Sequence, residues 1–224
     1  MNRTFGVVVA LLVGCSAPVA RGDLIYQVVA EQADYTAEVG ATVDVRIFLR
    51  ETATGGESSQ IAGAGNGLLT AGVRLDFGGS AAAKVLSAAD VFENAGFTSA
   101  ATLVKDVTAG SAGLAEDVDF LDPAVQGIEV SPGVAMLELG VFRFTALAAG
   151  LTVVTVEDFD LGQVNFVTAG FVSLDDPPSA VGPSTFSINV SRSGAVPEPA
   201  SVVLAASGLL GLGLWARLRR HRIV

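Results

Sequence analysis

Thr42-Val43-Asp44-Val45-Arg46-Ile47-Phe48-Leu49-Arg50 alternates with a period of two: Val43, Val45, Ile47 and Leu49 fall on one side, Asp44, Arg46 and Arg50 on the other. Successive side chains of a pleated strand point to opposite faces, so the pattern predicts a strand with one face in a core and one in water. Upstream, Leu24-Ile25-Tyr26-Gln27-Val28-Val29 is rich in β-branched and aromatic residues. Downstream, Val73-Arg74-Leu75-Asp76-Phe77 repeats the alternation and runs into a Gly78-Gly79 turn. The stretch 136–146 is the longest: Leu137, Leu139, Val141 and Arg143 share one face, while Met136, Glu138, Phe142 and Phe144 fit either register. Gly140 inside it predicts a bulge or bend. Leu151-Thr152-Val153-Val154-Thr155-Val156 and Phe186-Ser187-Ile188-Asn189-Val190 complete the set. Glycine-rich loops are expected at 55–56, 63–67 and 110–113, and one short helix near 87–94 with Ser87 as its cap. Many short alternating strands separated by turns predict an all-β fold, an antiparallel β-sandwich.

Charge narrows what such a domain can meet. Between Asp23 and Val196 there are 22 acidic against seven basic side chains, a net −15, and the only lysines are Lys84 and Lys105. That surface repels nucleic acid and anionic lipid. Glycine numbers 26 and cysteine one, the composition of an exported domain built without disulfides.

The N-terminus predicts export. Arg3 supplies a positive n-region and 5–13 an apolar h-region. Ala20-Arg21-Gly22 puts small residues at the −3 and −1 positions, so signal peptidase would remove residues 1–22 and leave Asp23 first. Leu12-Val13-Gly14-Cys15 instead resembles the lipobox of bacterial lipoproteins, in which Cys15 would be lipidated. That alternative leaves a signal of only 14 residues before the cysteine, whereas the cut before Asp23 keeps the usual spacing.

The C-terminus predicts a sorting step. A 17-residue uncharged run, 200–216, follows Pro197-Glu198-Pro199 and is followed by Arg217, Arg219, Arg220 and Arg222. As a helix it would reach roughly 26 Å, at the short end for a membrane span. The one-sided arginines place the C-terminus in the cytoplasm and the rest outside. This order resembles the bacterial PEP-CTERM sorting signal, whose tail is read by the membrane protease exosortase; the matching residues are Pro197, Glu198 and Pro199, the small Ala200 and Ser201, the Gly- and Leu-rich run at 208–214 and the arginine cluster. The resemblance implies a sorting motif at Pro197, Glu198 and Pro199, a transmembrane helix over 200–216 and a basic stop over 217–222, joined by a linker, 192–196, to an exported sandwich over 23–191. An ordinary C-terminal anchor is the alternative.

The middle of the chain is similar to the cohesin and carbohydrate-binding-module group of jelly-roll sandwiches. The likeness rests on Gly40-Ala41-Thr42-Val43-Asp44-Val45-Arg46-Ile47, on Gly67-Leu68-Leu69-Thr70-Ala71-Gly72-Val73-Arg74-Leu75-Asp76-Phe77, and on 137–145 with Ala149-Gly150-Leu151-Thr152. It implies glycan or partner-domain recognition. The chain departs from the group at Phe77-Gly78, where an aromatic followed by Asp is usual. No row of Trp or Tyr stands ready for sugar stacking, since the domain holds only Tyr26 and Tyr35.

Chemistry is constrained by what is missing. The one histidine, His221, lies in the basic tail, so the exported part has neither a Ser-His or Cys-His pair nor a His-ligated metal. Glu116, Asp117, Asp119, Asp122, Glu157, Asp158 and Asp160 would permit a two-carboxylate glycan hydrolase. Glu157, Asp158 and Asp160 also offer oxygen ligands to Ca²⁺, but without the spacing of a twelve-residue calcium loop. The simpler reading takes them as solvated charge. The expectation is a non-catalytic cell-surface or matrix protein needing no cofactor or metal, sorted by exosortase and associated with exopolysaccharide or another glycan. A carbohydrate-binding or cohesin-like module is the alternative, and a carboxylate-dependent hydrolase ranks third.

Overall fold

The structure is a computed structural model and describes residues 23–119, 121–160, 164–175 and 181–192. The signal sequence, the alternative Cys15 lipidation site and the whole sorting tail, including Pro197, Glu198, Pro199, Arg217, Arg219, Arg220 and Arg222, lie outside the described residues.

Among the described residues, thirteen strands form two sheets: β1 (Leu24–Ala30), β2 (Asp34–Glu38), β3 (Thr42–Ala53), β4 (Leu68–Asp76), β5 (Ala83–Lys84), β6 (Val91–Glu93), β7 (Val104–Val107), β8 (Ser111–Asp117), β9 (Ile128–Ser131), β10 (Val134–Ala146), β11 (Gly150–Asp158), β12 (Val167–Thr168) and β13 (Ser184–Ser191). The first sheet runs β1-β3-β10, with β5, β6 and β9 taking turns along the far edge of β10. The second runs β2-β13-β11-β4-β8-β7, and β12 also pairs with β4. Every pairing is antiparallel except β2 with β13, which is parallel and makes the second sheet mixed. The two sheets pack face to face, so the fold is a β-sandwich.

The alternation read from β3 holds: Val45, Ile47 and Leu49 are fully buried and Asp44, Arg46 and Arg50 are exposed. Opposite them Phe186, Ile188 and Val190 of β13 and Val154 and Val156 of β11 close the core. Phe144 bridges the sheets, edge-on to Phe77 at 5.6 Å and to Phe186 at 6.0 Å between centroids.

On β10 the expected single face is replaced by two. Leu137 and Leu139 point inward, but so do Phe142, Phe144 and Ala146, while Val141 and Arg143 turn outward. The cause is a bulge: Glu138 faces Phe48 and Gly140 faces Ile47, leaving Leu139 as an extra residue that inverts the phase. Gly140 is required there, because a Cβ would sit 2.6 Å from Leu114 Cδ2 and 2.7 Å from the Phe92 carbonyl oxygen.

Three other expectations change. The helix near 87–94 is one 3-10 turn, Ala88–Asp90, followed at once by β6. Ser87 Oγ bonds Asp90 Oδ2 at 2.8 Å instead of capping a backbone amide, and Val91 is drawn into the core as an edge partner of β10. The 110–113 stretch is mostly strand: Ser111 opens β8, and Gly113 lies under the Phe159 ring, where a Cβ would meet Cε2 at 2.6 Å. Finally, β2 was not expected at all, and it adds Tyr35 to the core.

Candidate functional site

The acidic residues singled out from the sequence do not converge. On β11, Val154 and Val156 face inward, so alternation turns Asp158 to the inner side and Glu157 to the outer, opposite Arg74. Asp160, beyond the strand end, is exposed, and its backbone carbonyl accepts a 3.0 Å bond from Asn165 Nδ2. Asp158 Oδ1 is buried without a hydrogen bond. Burial first, and then the nearby Asp175 carboxylate, push the Asp158 carboxyl up to about 7. Among the described residues no three His, Cys, Asp or Glu side chains gather as a metal site.

The second acidic run is exposed at Asp119 and Asp122, as expected, but not at Glu116. Ala112, Leu114 and Glu116 share the inner face of β8, and Glu116 is 4% exposed. The Asn94 backbone N–H donates to its Oε2 at 3.2 Å, while Oε1 has no partner. Burial, opposed by the Asn94 bond, raises its carboxyl to about 9, so Glu116 is neutral at pH 7. Asp122 accepts a 2.6 Å bond from Thr98 Oγ1, whose oxygen in turn accepts the Asp119 N–H at 3.0 Å. These contacts order a loop; they do not pair two carboxylates across a cleft.

The residue that sequence reasoning passed over is Glu51. The β3 alternation carried one step beyond Leu49 puts Glu51 on the same inner face, and it is 1% exposed. Its cross-strand neighbours are Tyr26 on β1 and Ala135 on β10. The Gln60 N–H donates to Glu51 Oε2 at 2.8 Å; Oε1 is buried and has no hydrogen-bond partner. The Tyr26 hydroxyl lies beside this carboxylate, and burial together with the Glu51 charge holds the phenol well above its ordinary range.

Over Glu51 opens a groove of about 470 Å³, walled by Ala53, Ala62, Val134 and Ala135 and rimmed by Glu57 and Glu129. Its loops are tied down. Asn66 Nδ2 donates to the Ser59 and Ala62 carbonyls at 2.6 and 3.0 Å, the Gly127 N–H to the Ile61 carbonyl at 2.7 Å, and the Gly133 N–H to Glu129 Oε1 at 3.2 Å.

Aromatic residues are disposed differently from what sugar stacking by tyrosine would need. Tyr26 and Tyr35 are both in the core. Phe171 is the outlying ring: 81% exposed, at φ 58°, it stands on a tight turn closed by the Phe171 N–H on the Thr168 carbonyl at 2.8 Å. A shallow apolar groove beside it is lined by Leu69, Thr70, Asp117, Val118 and Val167.

No known family and no curated protein matches the chain. Among solved structures, the C-terminal domain of the AgI/II polypeptide BspA of Streptococcus agalactiae overlaps at a TM-score of 0.36 with 15% identity, covering 75% of this chain and 49% of that one. The major pilin subunit BcpA of Bacillus cereus overlaps at 0.34 with 7% identity, covering 77% of this chain and 40% of the pilin subunit. The chain thus spans half or less of the length of these two proteins.

Proposed function

We propose that the protein is an exported, non-catalytic β-sandwich of the cell surface or extracellular matrix, delivered by exosortase through its C-terminal tail. The observation that carries this reading is Pro197-Glu198-Pro199 directly abutting the apolar run 200–216 and its arginine cluster. Two prolines keep a segment extended and unpaired, which suits a protease groove and serves no purpose in a plain anchor. In a helix over this run, Gly208, Gly211 and Gly213 would leave the backbone open to close packing by a membrane partner. In this reading the tail is a temporary stop, cut near Pro199-Ala200, and the released sandwich associates with exopolysaccharide.

The described strands run from Leu24 to Ser191, which is compatible with a domain released by the two proposed cuts. A jelly-roll or cohesin-like recognition module is the second reading, and Phe171 is what favours it: an exposed ring beside Thr70 and Asp117 combines a stacking surface with hydroxyl partners. Intact-mass measurement on native surface material tests the first reading. The expected mass ends near Pro199, and recovery of the chain through Val224 overturns it. Replacing Pro197 and Pro199 by alanine is expected to trap the full-length form in the membrane.

A further inference from the structure

We infer that the trough beside Phe171 binds an N-acetylated amino-sugar unit of an uncharged glycan. The inference rests on the recognition-module reading above and names the ligand class of that site.

Strand register builds the trough. Thr70 of β4 is flanked by Val167 of β12 on one side and Asp117 of β8 on the other. Their chain neighbours Ala71 and Glu116 are buried, so alternation turns Thr70 and Asp117 to the outer face of the second sheet. At the usual spacing between strands the row of three is about 10 Å long. Leu69, Val118 and Phe171 complete the lining of a space of about 340 Å³.

Phe171 is held beside this row in a strained conformation. A bulky residue at φ 58° occupies a region that glycine enters freely, and it persists only where its surroundings impose it. Here the Phe171 N–H donates to the Thr168 carbonyl at 2.8 Å, the Thr168 N–H to the Val172 carbonyl at 3.0 Å, and the Ala169 N–H to the Gly67 carbonyl at 2.9 Å. The ring is 81% exposed, so core packing does not offset the strain. The turn shapes the trough before any ligand arrives, which lowers the ordering cost of binding.

The lining then selects the ligand. One carboxylate and one hydroxyl stand among apolar walls. The Asp117 carboxylate makes no hydrogen bond or ion pair among the described residues. Thr70 Oγ1 donates to the Asn165 carbonyl at 3.1 Å, which leaves its oxygen to accept. A sugar bearing hydroxyls alone would press several of them against Leu69, Val118 and Val167 without partners. An acetamido group brings one N–H for Asp117 and one methyl for the apolar walls, while the C–H face of the sugar ring lies on Phe171. The net −15 between Asp23 and Val196 turns away uronic acids. Position suits a polymeric ligand as well. β13 ends at Ser191 beside Glu38, at the opposite end of the second sheet from the trough, so a domain held by its tail presents the trough outward.

The test is calorimetric titration of the full chain in phospholipid nanodiscs. The probes are the N-acetylglucosamine trimer, the glucose trimer, the glucosamine trimer, trigalacturonate and Nα-acetyl-leucine methylamide. Saturable binding of the acetylated trimer is expected, at least about tenfold tighter than every other probe. Phe171→Gly relieves the backbone strain, so it is expected to weaken binding about tenfold while leaving Tm no lower than in wild type. Asp117→Asn keeps the shape and is expected to weaken binding about fivefold. Leu151→Ala, at an exposed apolar position near the other end of the sheet, is expected to leave it unchanged. Tighter binding of the glucosamine trimer would mean attraction to negative charge alone, and tighter binding of the leucine probe an apolar peptide site; either overturns the assignment, as does trigalacturonate binding as well as the acetylated trimer. Equal affinity in wild type and both trough variants overturns it too. The glucose trimer binding as well as the acetylated one overturns the acetamido assignment and leaves the recognition-module reading standing, whereas no saturable binding of any sugar overturns both.

Discussion

Glu116 sits where a core residue would be expected, and its ionisation is coupled to the stability of the fold. The unfolded chain releases this proton near 4.5, whereas the folded chain keeps it until about 9. Between those values the folded state binds more protons, so stability falls as pH rises, by about 1.4 kcal/mol per pH unit for such a group. Asp158 adds to the fall in its lower part, up to about 7. Asp44 acts in the opposite sense. Arg143 holds its carboxyl below the usual range through bonds of 2.7 and 2.9 Å, and that contribution is present at neutral pH and lost only in acid. Glu116→Gln mimics the neutral acid and is expected to flatten the alkaline decline, leaving the variant more stable than wild type at pH 8 by roughly 2 kcal/mol or more. Urea midpoints measured across the pH range check this; parallel curves for the two proteins would contradict it. The sequence allowed this residue to be read either way, because Ser111-Ala112-Gly113-Leu114-Ala115-Glu116 has small residues where an alternation would be expected to show. Glu51 was more legible, being one step along the plainest alternation in the chain.

Among the elements, β10 shows what a single inserted residue does. Its two inner faces, Leu137 and Leu139 before the bulge and Phe142, Phe144 and Ala146 after it, fit one sandwich only because the phase inverts between them. Gly140 announced an irregularity in the sequence, but not the direction in which the following residues would turn, since that depends on β6 and Leu114 lying against the bend. Gly140→Ala is expected to cost about 1–3 kcal/mol, because the new Cβ must displace the Phe92 carbonyl or Leu114. Gly79→Ala, with nothing within 4 Å of the added carbon, is expected to be nearly neutral. Chemical denaturation of both variants makes the comparison, and equal losses would show that the bulge is not under packing constraint. Strands β2 and β12 were invisible beforehand because they are short segments whose partners lie far along the chain, β13 and β4; β7 and β9 pair with the strands that follow them but are too short to show an alternation.

For the whole molecule, charge sets the condition under which the sandwich is comfortable. A net −15 between Asp23 and Val196 is offset locally by ion pairs such as Asp44–Arg143, Arg46–Glu138 and Glu93–Lys105. Exposed pairs of this kind are worth little, whereas the excess negative charge repels itself over the full width of the domain at low salt. Raising sodium chloride from about 0.01 M to about 0.5 M shortens the screening length from about 30 Å to a few ångströms, so Tm is expected to rise by several degrees. A lower Tm at high salt, read by scanning calorimetry, would mean that the ion pairs outweigh the repulsion. The sandwich class, the charge and the position of the long strands were legible in the sequence. The groove was not, because it is assembled from β3, β10 and two loops that only the fold brings together.

The last strand of the sandwich is also an interior one. β13 lies between β2 and β11, and the adjoining Gly182 exchanges backbone bonds with Tyr26 and Val28 of β1. Under the export proposed above, a chain threaded N-terminus first would emerge as a sandwich with a missing slat, holding two raw edges open until β13 is delivered. Only five residues, 192–196, lie between Ser191 and Pro197, a span that would reach roughly 20 Å if extended. Under the sorting proposed above, the domain would close while still tethered at the membrane surface, so the tail acts as a clock as well as an address.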